Sequence, residues 1–215
     1  MSRSISWGTY LAAFVISAFL FGFGILVGVF LMQGVNANLE LELQSLQGRS
    51  GEVELLLSMN ATQSALCPVL QAQLSEFDTQ TTVFGTKLEQ LEKTRGRTEG
   101  TVLKLKKEYM VQQARDFLLI QRINTHCGAR IPTLLFFYTN DCPECTRQGL
   151  EGPPLKRERP DVMIYALDVD LNTPVVDALE KVYGVTSYPT LVVNGKSYPG
   201  FRDKEAIGSI LSPGA

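Results

Sequence analysis

Cys142-Pro143-Glu144-Cys145 concentrates more reactive chemistry than any other segment of this chain. If the segment opens a helix, the first thiol lies at the helix N-terminus. There, amide N–H groups without intrahelical partners and the positive end of the dipole stabilise an anion. The thiolate is the reactive form of cysteine, so this placement suits Cys142 as the attacking sulfur. Cys145 lies one turn further in, within disulfide distance, and can resolve a mixed disulfide by intramolecular attack. Pro143 takes the first helical turn without wasting a donor. Asp141 and Glu144 add negative charge that opposes thiolate formation. The chemistry expected is thiol–disulfide exchange, with no cofactor and no metal.

The elements that must hold this segment follow from the pattern around it. Thr133 to Tyr138 is a short apolar, aromatic run that reads as a buried parallel strand leading straight into the cysteines. A second strand is expected over 162–167, then a helix from Pro174 to about Tyr183, a strand over 190–193 and a last helix over about 203–211. Asn194-Gly195 is a strong hairpin signal, with Lys196-Ser197-Tyr198 as the returning strand. The order is strand, helix, strand, helix, hairpin, helix. After Cys145 the helix is expected to be interrupted by Gly149, Gly152, Pro153 and Pro154.

Upstream, residues 39–125 read as helix with breaks, a hairpin or small bundle that could serve as stalk, docking surface or packed spacer. Breaks are expected at Gly48-Arg49-Ser50-Gly51 and over 94–100, and Pro68 is expected to start or kink the second helix. Asn60-Ala61-Thr62 matches a glycosylation sequon. Cys67 and Cys127, 60 residues apart, could pair in an oxidising compartment and tie these helices to the C-terminal domain, or pass electrons to the Cys142/Cys145 pair. His126, Cys127, Cys142 and Cys145 could instead form a Cys₃His zinc site.

No charged residue occurs from Ser4 to Leu39. The stretch from Tyr10 to Met32 can cross a hydrocarbon layer of about 30 Å. Trp7 and Tyr10 are placed as interfacial anchors. A cleaved signal with Val35 and Ala37 at its end is the rival reading, but its apolar run would be only about 7–15 residues. Gly24 and Gly28 could form a helix-dimer face, and with it a homodimer. Arg3 precedes the span, while Glu40, Glu42, Glu52 and Glu54 follow it, so the C-terminal part is expected outside the cytoplasm. The chain then divides into an anchor segment (1–38), a helical region (39–125) and an α/β domain (126–215).

Composition narrows the function further. The chain has 215 residues, a net charge of −2, 45% hydrophobic and 20% charged residues, one His and 4 Cys. That balance excludes a nucleic-acid binder, a largely disordered chain and a disulfide-dense mini-scaffold.

Most of residues 131–211 resembles the thioredoxin superfamily. The resemblance is carried by Cys-Pro-Glu-Cys after the first strand, Leu-Asp-Val-Asp at 167–170, Val182 to Thr190 with its Tyr188-Pro189, and the Asn-Gly hairpin leading to Gly200. It implies a thioredoxin-like fold, and a cis Tyr188-Pro189 bond that forms one wall of a substrate groove beside the cysteines. It implies protein thiols and disulfides as substrates. With the chain tethered, a membrane redox partner that recharges the site is also expected, though the sequence does not identify it. The chain departs from the pattern in three places. Asn140 and Asp141 replace the usual Trp before the first Cys. Phe136 and Phe137 stand where many thioredoxins carry a buried acid. Pro143 directly after the first Cys is more like glutaredoxins and periplasmic disulfide oxidases. A membrane-tethered thiol–disulfide oxidoreductase is the expectation; a thioredoxin-fold binding module on a helical stalk is the alternative.

Overall fold

The computed structural model describes residues 7–58 and 63–212. Arg3 and the sequon at 60–62 lie outside the described residues. Three long helices come first, α1 (Trp7–Ser58), α2 (Gln63–Arg95) and α3 (Gly100–Cys127). Then follow β1 (Thr133–Tyr138), α4 (Pro143–Glu158), β2 (Met163–Asp168), a single 3₁₀ turn (Val169–Leu171), α5 (Pro174–Tyr183), β3 (Thr190–Val193), β4 (Lys196–Pro199) and α6 (Lys204–Leu211). The chain divides into two units between Glu42 and Leu43.

In the first unit, Tyr10–Val29 is long and apolar enough to cross a membrane. Its large side chains, including Phe14, Phe19, Phe21, Leu20 and Leu26, are exposed. A stretch apolar on every face has no polar side to turn toward water.

In the second unit, the four strands run β2-β1-β3-β4, with β1 parallel to β2 and antiparallel to β3, and β3 antiparallel to β4. Helices cover both faces, which is why β1 is buried almost throughout rather than alternating. Leu134, Phe136, Leu191 and Val193 meet Leu155 of α4 and Ile207 and Leu211 of α6. On the opposite face Phe117 of α3 packs edge-on against Tyr165 of β2 and Tyr183 of α5. The helix ending at Cys127 thus shares one core with the sheet that follows it. Asn194 and Gly195, at φ 49° and 85°, turn the hairpin with the left-handed backbone that Asn-Gly tolerates.

Two expected helix breaks are absent. α1 runs through Gly48-Arg49-Ser50-Gly51, because burial of Leu43, Leu46 and Val53 outweighs the glycine cost of about 1 kcal/mol each. Likewise α4 runs through Pro153 and Pro154. The carbonyls these prolines leave without a donor belong to Gly149 and Leu150, both in exposed residues that water can reach. Pro68 lies inside α2, near its start.

The open edge of β2 is covered by side chains. Ala166 N–H donates to Gln113 Oε1 at 2.8 Å, and Gln113 Nε2 donates to the Ala166 carbonyl at 3.1 Å, so one amide imitates a neighbouring strand. Tyr109 Oη donates to the Thr81 carbonyl at 2.9 Å and ties α3 to α2. Gly85 of α2 leaves room for that phenol, since a Cβ there would stand 2.6 Å from the Tyr109 oxygen.

Asp116 of α3 is fully buried and accepts from Ser50 Oγ (3.0 Å) and Gln112 Nε2 (2.7 Å). Burial outweighs these bonds and pushes its carboxyl up to about 7. The unfolded chain releases this proton near pH 4. Between about pH 4 and 7 the folded state therefore binds the extra proton, and stability falls as pH rises through that window. Asp116→Asn is expected to flatten the dependence of Tm on pH over this range and to raise Tm at pH 8; thermal melts at pH 5 and 8 check both.

Cys67 of α2 and Cys127 of α3 form a disulfide, with Cα atoms 5.7 Å apart. Closing a loop of 60 residues restricts the unfolded chain by about 4 kcal/mol in the chain-entropy account. A Cys67→Ala/Cys127→Ala chain is expected to lose stability of that order in urea unfolding.

Candidate active site

The site begins with the strand-to-helix junction. β1 ends at Tyr138, and Thr139-Asn140-Asp141 carries the chain to Cys142, the N-cap of α4. Cys142 has extended backbone (φ −132°, ψ 101°), and Cys145 N–H donates to its Sγ at 3.0 Å. A sulfur in that position satisfies an amide that would otherwise lack a partner, and the bond strengthens when the sulfur carries charge. Pro143 is the first helical residue. Cys142 and Cys145 are joined as a disulfide, Cα atoms 5.1 Å apart. Cys142 is half-buried and Cys145 buried, so the first cysteine is the more open of the two to solvent.

The segment before β3 forms the opposite wall. Tyr188-Pro189 is cis, and the Tyr188 carbonyl oxygen lies 3.8 Å from Cys142 Sγ. Tyr188 Oη donates to Glu180 of α5, which fixes the ring. Burial, then this carboxylate, pushes the Tyr188 phenol up to about 12, so it stays protonated at neutral pH. Gly200 N–H donates to the Pro189 carbonyl at 2.8 Å and carries the wall on past β4.

A mixed sheet ordered β2-β1-β3-β4 thus has two helices on each face, a disulfide at the start of the helix after β1, and a cis proline segment against that disulfide. This is a thioredoxin-like domain.

Among solved structures similar to this chain are thioredoxin-2 of the malaria parasite (21% identity, TM-score 0.33, covering 37% of this chain and 79% of that one) and the thioredoxin of Fasciola hepatica (20%, TM-score 0.34, 44% and 90%). Chloroplastic thioredoxin z is another (20%, TM-score 0.34, 43% and 85%). No protein-family model and no curated protein matches the chain.

Other residues support the disulfide site without touching the sulfurs. Asn140 N–H and Nδ2 donate to Asp170 Oδ2 at 2.8 and 2.7 Å, and Nδ2 also lies 3.3 Å from Asp168 Oδ1. The loop before Cys142 is therefore clamped to the end of β2. Asp168 in turn is fully buried and paired with Lys106 of α3 at 3.0 Å, and Lys106 also reaches Glu92 of α2. Burial raises the Glu92 carboxyl, but hydrogen bonds from Arg97 and Lys106 outweigh it and leave the pKa lowered. Asp168-Val169-Asp170 is visible in the sequence as a motif. Lys106 gives no such signal, being 62 residues away from its partner.

Cys145 lines a cavity of about 870 Å³ whose walls include Phe136, Tyr138, Leu150 and Ile164. Phe136 and Phe137 of β1 occupy the stretch where the resemblance leads to the expectation of a buried acid. Among the described residues, no carboxylate hydrogen-bonds to either sulfur. The zinc arrangement is not assembled, because the Cys127 sulfur is bonded to Cys67.

Proposed function

We propose that this chain is a membrane-tethered thiol–disulfide oxidoreductase acting on proteins. The observation that carries the reading is Cys142 as helix N-cap, its sulfur 3.0 Å from the Cys145 amide and facing the Tyr188-Pro189 wall. In the reducing direction the Cys142 thiolate attacks one sulfur of a client disulfide and expels the other as thiolate. The Cys145 thiolate then attacks Cys142 Sγ, the Cys142–Cys145 disulfide forms, and the second client sulfur leaves with the remaining electron pair. The client gains two electrons and the protein loses two. A client dithiol meeting the oxidised form runs the same steps backward. Tyr188 and Pro189 hold the extended client segment beside Cys142.

Tyr10–Val29 supplies the anchor, with the redox domain outside the cytoplasm, supported by Arg3 before the span and the acidic residues after it. A membrane redox partner resets the disulfide. The test is redox equilibration of the full chain in detergent against glutathione, together with insulin reduction by dithiothreitol. The proposal expects a two-electron Cys142/Cys145 couple and accelerated insulin precipitation. A chain that leaves the insulin rate at its background value loses the enzyme reading and leaves the binding module.

A further inference from the structure

On either side of Gly200 the wall of the site turns aromatic and basic. The Arg147 guanidinium, on α4, lies 4.1 Å from the centre of the Phe201 ring. Arg202 and Lys196 lie 5.4 and 5.6 Å from the centre of the Tyr198 ring on β4. Gln148 fixes the geometry: its Nε2 donates to the Arg202 carbonyl at 2.9 Å, and Arg202 N–H donates to its Oε1 at 2.8 Å. Phe201 follows Gly200, whose N–H is bonded to Pro189, so this strip continues the wall that faces Cys142.

The charge of this strip is not neutralised. Lys106, Lys156, Arg159 and Lys204, by contrast, are paired, with Asp168, Asp78, Asp161 and Glu158 respectively. Among the described residues, Arg147, Arg202 and Lys196 have no carboxylate partner, and the Arg202 Nε is buried without a hydrogen-bond acceptor. A guanidinium lying over a ring keeps its N–H edge free, and that edge matches a carboxylate in two-pronged geometry. Arginine and aromatic side chains held together are the composition of binding hot spots. Asp141 and Glu144, next to the cysteines in the chain, are exposed and repel acids placed directly beside the exchanging cysteine.

We propose that Arg147–Phe201 and Arg202–Tyr198 form a subsite for acidic residues of the client polypeptide, a few positions from the cysteine that exchanges with Cys142. The proposal rests on the oxidoreductase reading and names its substrate class.

The experiment uses the full chain in detergent and three disulfide-linked fluorogenic peptides of one framework, flanked by Asp/Glu, by Asn/Gln or by Lys. At low salt, kcat/KM is expected to be about five- to tenfold higher for the acidic peptide than for the amide peptide, as two or three exposed ion pairs supply. The advantage shrinks as salt screens it. Arg147→Glu/Arg202→Glu is expected to invert the order, with the Lys peptide ahead of the acidic one. Equal turnover of all three peptides by the unaltered chain overturns the subsite and leaves the oxidoreductase reading standing, as does an acidic preference that survives the charge reversal in a folded variant. Turnover of none of them overturns the reading on which the subsite rests. The comparison across peptides needs no variant, so a charge-reversed chain that fails to fold leaves the test intact.

Discussion

A Cys142→Ser chain is expected to lose insulin reduction by a factor on the order of 10³ or more, down to the uncatalysed rate. The hydroxyl of serine is not ionised at neutral pH and forms no bond that sulfur exchange can cleave, so the N-cap position has nothing to activate. Cys145→Ser is expected to behave differently. Its Cys142 keeps the amide donor at the helix N-terminus, since that donor is the backbone of residue 145, not its side chain. Attack then proceeds once and stops at the mixed disulfide. Non-reducing electrophoresis after incubation with oxidised client is expected to show an adduct with Cys145→Ser and none with Cys142→Ser. Equal activity of wild type and Cys142→Ser would sink the assignment of this sulfur as nucleophile.

The second large effect concerns Lys106. Its side chain is 6% exposed, and its ammonium group is shared by Asp168, whose side chain is 0% exposed, and Glu92. Removing one partner of a buried ion pair leaves the other charge without compensation, which typically costs about 3–5 kcal/mol. Lys106→Met is therefore expected to lower the unfolding free energy by that order, read from urea titration. Lys106→Met/Asp168→Asn is expected to recover much of the loss, because the stranded charge has gone with its partner. A double variant no more stable than Lys106→Met would show that packing around the lysine stem, not the charge on Asp168, sets the cost. The pair also bears on the site. Asp168 is one of the two carboxylates holding Asn140, so loosening it loosens the loop that presents Cys142.

The strand-helix-strand order of the C-terminal part is legible because its cues are local. Thr133-Leu134-Leu135-Phe136-Phe137-Tyr138 is too short and too uniformly apolar for anything but a strand covered on both faces, and Asn194-Gly195 allows one tight reversal. The apolar N-terminal helix is equally local, needing only length and the absence of charge. The breaks expected at Gly48-Gly51 and at Pro153-Pro154 rest on intrinsic preference, about 1 kcal/mol for each glycine and about 3 for each proline, which packing and solvation of a few groups can override.

By itself the sequence determined that two cysteines one turn apart meet at a helix N-terminus, and that a long apolar segment precedes them. Both follow from properties of neighbouring residues. Only the tertiary structure decided that Lys106 neutralises Asp168, that Gln113 seals the edge of β2 and that Arg147 rests on Phe201. Each of these joins residues far apart in the chain, up to 62 positions, and the choice of partner is made by whichever group the packed fold brings within contact distance.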